Sequence, residues 1–313
     1  MISKSSTAMD SIFKLRSKLK HEYYRFRSYV GRPKIVTNTK PVILSESNQC
    51  SKPIFLIGVH RSGTSLCRRI INSHSQIACP PETYFLEHFA SMIRDKNTFA
   101  GLEGIGYDYP TALKEIRNWS SRYHEAYRLS QGKLRWADKT PHYINILPEI
   151  EQLFGDDAQY IMIFRNPLDV IYSIFKRGWN FSSYDSEPLK NTAFYVTESL
   201  EKQLNFAQQH PNRCFDLFYE NLIKKPEETL KNMFQFLGET WEPDVLNYHK
   251  FEHGFGTEDP IVRGTTGFTP NFDNWQAFSS EQLSSILPIV EDVMKELGYS
   301  LDNSKFPSYT KSV

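Results

Sequence analysis

Two stretches of the chain are unbroken runs of apolar residues: "IFLIGV" at residues 54–59 and "QYIMIF" at 159–164. Neither alternates with polar residues, which predicts strands covered on both faces rather than strands with one wet side. "LRWAD" (134–138) and "RCFDLFY" (213–219) read as two further strands. Between the strands the apolar spacing changes to a helical period. It predicts helices over 65–73, 84–95, 111–130, 165–178, 187–210, 225–238 and 279–297, and one from Thr140-Pro141 through Phe154. Gly238 and Gly298 are placed to close the last two of the chain-order helices, at 225–238 and 279–297. Strands that alternate with helices imply a parallel sheet. The expected fold is therefore α/β: a P-loop-containing nucleotide-binding fold with a central parallel sheet flanked by helices on both faces. A loop of about 40 residues is expected ahead of the last helix.

Residues 9–29 also show a helical stripe, Ile12, Leu15, Leu19, Tyr23 and Phe26, with basic residues between. Residues 32–52, rich in Pro, Ser and Asn, read as a linker. The predicted organisation is a basic helix and linker over 1–52, a catalytic body over 53–300 and a tail over 301–313. Composition sharpens this division. Residues 1–34 carry nine Lys/Arg against two acids, so this head is +7 and the remainder of a chain of net charge +1 is −6. An acidic body does not suit nucleic acid, whose binding face would be basic. The head is expected to pack on the body or on a partner, with peripheral membrane contact as the alternative. No apolar run approaches the roughly 20 residues needed to span a bilayer. Cys50, Cys67, Cys79 and Cys214 form no CxxC pair and no zinc-ligand spacing. A reduced, cytoplasmic setting is the expectation.

The first strand runs into Gly58-Val59-His60-Arg61-Ser62-Gly63-Thr64-Ser65, and a helix follows. A glycine-rich turn at that junction points several backbone N–H groups, and the positive end of a helix, at one spot. The hydroxyls of Ser62, Thr64 and Ser65 add donors, and Arg61 adds a planar charged fork. The spacing is that of a phosphate loop, but Thr64 stands where a nucleotide triphosphatase has its lysine. The expected ligand is an anion with less charge at that end and no requirement for a metal.

The second strand leads into "RNPLDVIYSIFKRG", with Arg165 at its end and Ser173 two turns into the next helix. These two are expected to share a second phosphate, which suits a ligand carrying a 5′ anion and a separate 3′-phosphate. The pair "GVHRSGTSL" and "FRNPLDVIYS" resembles the two cofactor motifs of sulfotransferases that use 3′-phosphoadenosine 5′-phosphosulfate (PAPS). The resemblance continues through "ACPPETYFL", "WADKTPHYINIL", "DLFYENLIKKPEETLKNMFQFLG" and "IVRGTTGF…NW", covering most of residues 53–298. It is closest to the bacterial and Golgi-type branch, including the tyrosylprotein sulfotransferases.

The resemblance implies transfer of a sulfuryl group to an acceptor hydroxyl by in-line displacement, with a carboxylate as general base. It assigns the 5′-phosphosulfate to Arg61, Ser62, Gly63, Thr64 and Ser65, and the 3′-phosphate to Arg165 and Ser173. Glu82 matches the base, and Lys139 matches the lysine that holds the transferring sulfonate. Arg263 and Gly264 resemble the late element that closes on the 3′-phosphate, although the spacing to Trp275 departs from the cytosolic pattern. Other readings stand beside these. Glu82 would also cap a helix starting near Thr83, Lys139 would also sit solvated beside Asp138, and His60 or His142 would serve as base in the phenol-type branch. Lys176 and Arg177 are expected to face water. Tyr107, Tyr109, Trp119, Tyr123, Tyr127, Trp179, Phe181 and Tyr184 are expected to belong mainly to the core, with an acceptor pocket as the alternative. The acceptor itself, whether sugar, lipid, metabolite or tyrosine, is left open, as is the oligomeric state. The rival functions are a small-molecule kinase with a variant loop and a non-catalytic nucleotide-binding module.

Overall fold

Five parallel strands form the sheet, in the order β2-β3-β1-β4-β5. β1 (Ile54–Gly58) lies at the centre, paired with β3 (Arg135–Asp138) on one side and β4 (Gln159–Phe164) on the other. β2 (Ile77–Ala78) and β5 (Cys214–Phe218) are the edges. The computed structural model describes residues 52–181, 186–254 and 256–301, all within a unit spanning Pro41–Val313. The expectations for the basic helix, Cys50, Tyr184 and the tail beyond Leu301 lie outside the described residues.

Every residue of β1 is buried, as its unbroken apolar run requires. Phe55 and Ile57 point into one core with Tyr160, Met162 and Phe164, while Ile54 and Leu56 point into a second with Ile161, Ile163, Phe215 and Leu217. That two-residue alternation is the pleat of the strand. Burying such a side chain contributes about 1.5–3 kcal/mol. The second core is closed by α1 (Thr64–Ser73), α8 (Tyr219–Lys224) and α9 (Pro226–Leu237). The first is closed by the remaining longer helices: α2 (Leu86–Arg94), α4 (Tyr109–Ser130), α5 (Leu147–Phe154), α6 (Pro167–Phe175), α7 (Pro188–Gln209) and α11 (Ser280–Glu296).

The structure departs from the sequence reading at several places, β2 and α8 among them. The helix expected from Thr140 through Phe154 is a 3₁₀ segment, Pro141–Asn145, followed by α5. Pro148 lies in the first turn of α5 and brings no N–H, so it begins a helix rather than continuing one. A short helix not anticipated from the spacing, α3 (Lys96–Gly104), is started by Asp95, whose carboxylate accepts from the Asn97 and Thr98 N–H groups. The loop before the last helix contains a 3₁₀ segment, Pro243–Lys250, the one-turn α10 (Pro260–Arg263) and another 3₁₀ turn, Asn274–Ala277. Finally, the aromatic residues expected in the core are largely outside it: Trp119 and Tyr123 on α4 are 59% and 65% exposed, and Tyr107, Tyr109, Trp179 and Phe181 are exposed too.

Candidate active site

The ends of β1 and β4 lie side by side, so the loops that leave them meet. Gly58 closes β1 where a Cβ would stand 2.8 Å from Ser62 Oγ and 3.0 Å from the Ile163 carbonyl. Gly63 has φ 98°, and a Cβ there would lie 2.5 Å from the Tyr219 ring. Both positions admit glycine alone without rearrangement. Arg61 takes the left-handed conformation as well, with φ 74°, and Ser62 N–H closes the turn on the Val59 carbonyl at 3.1 Å. α1 then begins at Thr64, so its first N–H groups face the cavity beyond. From β4, Arg165 donates to the Arg61 carbonyl at 2.8 Å and to the Asn271 carbonyl, with its guanidinium over the Tyr219 ring. Arg165 is buried, yet its Nε has no hydrogen-bond partner. The cavity between these groups has a volume of about 440 Å³ and is lined by Arg61, Gly63, Thr64, Ser65, Arg165 and Tyr219, among others.

A second cluster meets the start of α1. Lys139 follows β3 and is fully buried; its ammonium pairs with the Glu82 carboxylate and lies 3.4 Å from Ser65 Oγ. The Tyr84 hydroxyl donates to the other oxygen of Glu82. Burial, together with this hydrogen bond and the charges of Glu82 and Glu87, pushes the Tyr84 phenol up from its ordinary value. Asp138 holds the arrangement together. It accepts from Thr83 Oγ1 at 2.7 Å and Thr140 Oγ1 at 3.0 Å, and lies 2.8 Å from His124 Nε2. Lys139 is therefore not a solvated partner of Asp138. Nor does Glu82 cap a helix: α2 starts at Leu86, and no side chain caps it.

Arg61 lines the cavity with the loop residues, and its guanidinium is held by partners outside the loop: Nε donates to Ser173 Oγ at 3.0 Å and Nη1 pairs with Asp259. Ser173 and Arg165 thus meet through Arg61, one at its side chain and one at its carbonyl. Arg177, expected to face water, lies 3.5 Å from the same Asp259 and against the Trp179 ring, while Lys176 lies over Tyr172. Arg263 is half-exposed, donates to the Gly256 carbonyl at 2.8 Å and lies 3.9 Å from Glu258, and neither it nor Gly264 lines the cavity. Their neighbours Ile261, Val262, Thr265 and Gly267 do.

The segment carrying these residues crosses the cavity between two acidic anchors. Glu258 binds Arg68 and Arg69 of α1 at 3.1 and 2.8 Å. Burial works against its charge, but the Arg69 hydrogen bond and the charges of Arg68, Arg69 and Lys139 hold its carboxyl below the usual range. Asp169 of α6 accepts from the Asp273 and Trp275 N–H groups at 2.9 and 3.1 Å.

An arc of rings joins the two clusters. From Tyr84 it passes to His142, His60, Phe181 and Trp179, where it reaches Arg61. His60 Nδ1 and the Tyr195 hydroxyl are 2.6 Å apart. Burial, then the charges of His142, Lys139 and Arg61, lowers the His60 pKa to about 3. At neutral pH the ring is uncharged and a poor proton acceptor.

Sequence reasoning did not single out Asp259, Glu258, Tyr84 or Asp138 as parts of this arrangement. The Asp-Pro at 259–260 is a legible helix-start signal, and Asp259 does accept from the Ile261 N–H. Its pairing with Arg61 has no local signal.

Comparison with known proteins agrees with this architecture. The sulfotransferase family model matches residues 53–243. A Caenorhabditis briggsae protein assigned to the protein-tyrosine sulfotransferases is 25% identical over 270 residues, covering 82% of this chain and 92% of that one. Protein-tyrosine sulfotransferase A of Caenorhabditis elegans is 21% identical, covering 84% and 71%. Among solved structures, the sulfotransferase domain of the Synechococcus PCC 7002 olefin synthase superposes with a TM-score of 0.61 at 21% identity. It covers 84% of this chain and 100% of that domain.

Proposed function

The chain belongs to the sulfotransferase family, and from that membership we propose that it moves the sulfuryl group of PAPS to an acceptor hydroxyl, with Glu82 as the base. One observation carries the reading: Glu82, Lys139 and Ser65 meet at the start of α1, at the mouth of an anion-binding loop. A carboxylate and an ammonium at that point suit the two demands of the reaction, removal of a proton and stabilisation of charge.

The residues present fit the co-substrate. Backbone N–H groups of the loop and of Thr64–Ser65 suit the 5′-phosphate end. Arg165 offers the second phosphate a buried Nε with no partner in the protein. Arg61 lines the same cavity, its carbonyl bound by Arg165 and its guanidinium donating to Ser173. PAPS supplies an activated sulfuryl group. In the transfer, the acceptor oxygen forms a bond to sulfur and the bond from sulfur to the 5′-phosphate oxygen breaks. The acceptor proton passes to a Glu82 oxygen. Lys139 is close enough to Ser65 to move its charge from Glu82 toward the group in transit. His60 is the weaker candidate base because it resists protonation and already engages Tyr195.

The ring arc from Tyr84 to Trp179 gives an acceptor flat apolar surface beside the base. With relatives that are protein-tyrosine sulfotransferases, it favours a phenolic hydroxyl over a sugar, which would need more free hydrogen-bonding groups.

The test is binding of 3′,5′-adenosine bisphosphate by calorimetry, beside ATP with magnesium. The bisphosphate is expected to bind, and Arg165→Ala to weaken it about tenfold or more through lost charge-assisted hydrogen bonds. Binding of ATP–magnesium without the bisphosphate would instead mark a phosphoryl-transfer enzyme.

A further inference from the structure

The Arg61 guanidinium is already satisfied by the protein itself. Asp259 pairs with its Nη1, Ser173 accepts from its Nε, and Arg177 supports the same carboxylate from 3.5 Å. The side chains of Arg61 and Asp259 are 11% and 13% exposed, so water does little to weaken the pair. Arg61 and Asp259 both line the cavity beside Arg165. A carboxylate on an arginine in an anion site has the same chemistry as the phosphate that would bind there.

We propose that Asp259 is an internal competitor for the second phosphate of the nucleotide: a carboxylate tethered in the Ser173–Arg61 subsite that a 3′-phosphate must displace, and that returns when the product nucleotide leaves. The idea rests on the PAPS reading above. Its consequence is thermodynamic. A 3′-phosphate gains Arg61 only by breaking the Arg61–Asp259 pair, so the bisphosphate product is held more loosely than its charges alone would allow. A nucleotide without a 3′-phosphate leaves the pair in place and pays nothing for it. The tether is firm at both ends. Glu258, the preceding residue, is fixed to Arg68 and Arg69, and Asp259 itself caps the Ile261 N–H. The carboxylate therefore swings about a held backbone and stays near its arginine after displacement.

Asp259→Asn removes the charge but keeps a side chain that caps a helix well. Asp259→Ser is the second variant, with the same capping ability and no bulk at the subsite. Each would be compared with the unaltered protein by calorimetry and stopped-flow, using 3′,5′-adenosine bisphosphate and 5′-AMP. The expected result is bisphosphate affinity about tenfold tighter, mainly through slower dissociation, with 5′-AMP affinity changed less than twofold. Unchanged or weaker bisphosphate binding in both variants would overturn the proposal. So would equal tightening of both nucleotides, which would signal a general charge effect rather than competition at one subsite. If the unaltered protein does not bind the bisphosphate, the PAPS reading fails first and the competitor role falls with it.

Discussion

The Lys139 side chain has no exposed surface, and its ammonium pairs with Glu82 and lies 3.4 Å from Ser65 Oγ. Removing the carboxylate altogether would leave that ammonium buried without its counter-ion, a change that costs about 3–5 kcal/mol for such pairs. Glu82→Gln is the cleaner substitution because its amide oxygen still accepts a hydrogen bond. Turnover with PAPS is expected to drop about 10²–10⁴-fold in Glu82→Gln, while bisphosphate affinity stays within about threefold. Full turnover in that variant would remove Glu82 as the base. Glu82, Lys139 and Arg165 were legible in the sequence because each lies inside a contiguous motif next to a strand or a turn. Arg61 was legible as a residue but not in its partners. What holds it is Asp259, 198 positions further along the chain, and no local pattern of residue types records so distant a pairing. Strain tells the same story: the described non-glycine residues with positive φ are Arg61, Tyr84 and Asp273, all at this site or its covering segment.

Among the elements, α11 shows how well a helix start can be written in sequence. Ser279 accepts from the Gln282 N–H at 3.1 Å, and the Gln282 side chain accepts from the Ser279 N–H at 2.9 Å. This reciprocal cap should make Ser279→Ala about 1 kcal/mol less stable in urea unfolding, with bisphosphate affinity unaltered. A change in affinity would show that α11 communicates with the cavity. The buried strands were equally legible, since an unbroken apolar run bounded by a glycine or a polar residue has few other uses. Less visible were the two-residue β2 and the 3₁₀ segments, which are too short to build a period. The aromatic residues of α4 misled for a different reason. Trp119 and Tyr123 follow the helix repeat, but they ride on the outer side of a helix whose inner side carries Ser120, His124, Glu125 and Arg128. Apolarity gave the spacing of that helix correctly and its inward face wrongly.

At the scale of the whole molecule, half-buried His60 and buried His253 are expected to make stability depend on pH. Burial lowers His60 to about 3. Burial also lowers His253 to about 4, aided by Arg68 and Arg69 against the pull of the Tyr248 carbonyl. An unfolded imidazole takes up a proton near 6.5, so between about pH 6.5 and 4 the unfolded chain binds more protons than the folded one. Stability should therefore fall as pH is lowered through that window, and urea unfolding at pH 7, 6 and 5 would show it. A flat profile would contradict the burial of these rings. The same long reach that hid Asp259 from sequence reasoning also sets an order of events during synthesis. The glycine-rich loop is made early, whereas the partners that hold the site's arginines, Asp259 for Arg61 and Asn271 for Arg165, come 198 positions after the first and 106 after the second. At about 5–20 residues per second, some tens of seconds separate the loop from Asp259. A chain still on the ribosome thus carries the glycine-rich loop before the partners that hold Arg61 and Arg165 in place exist.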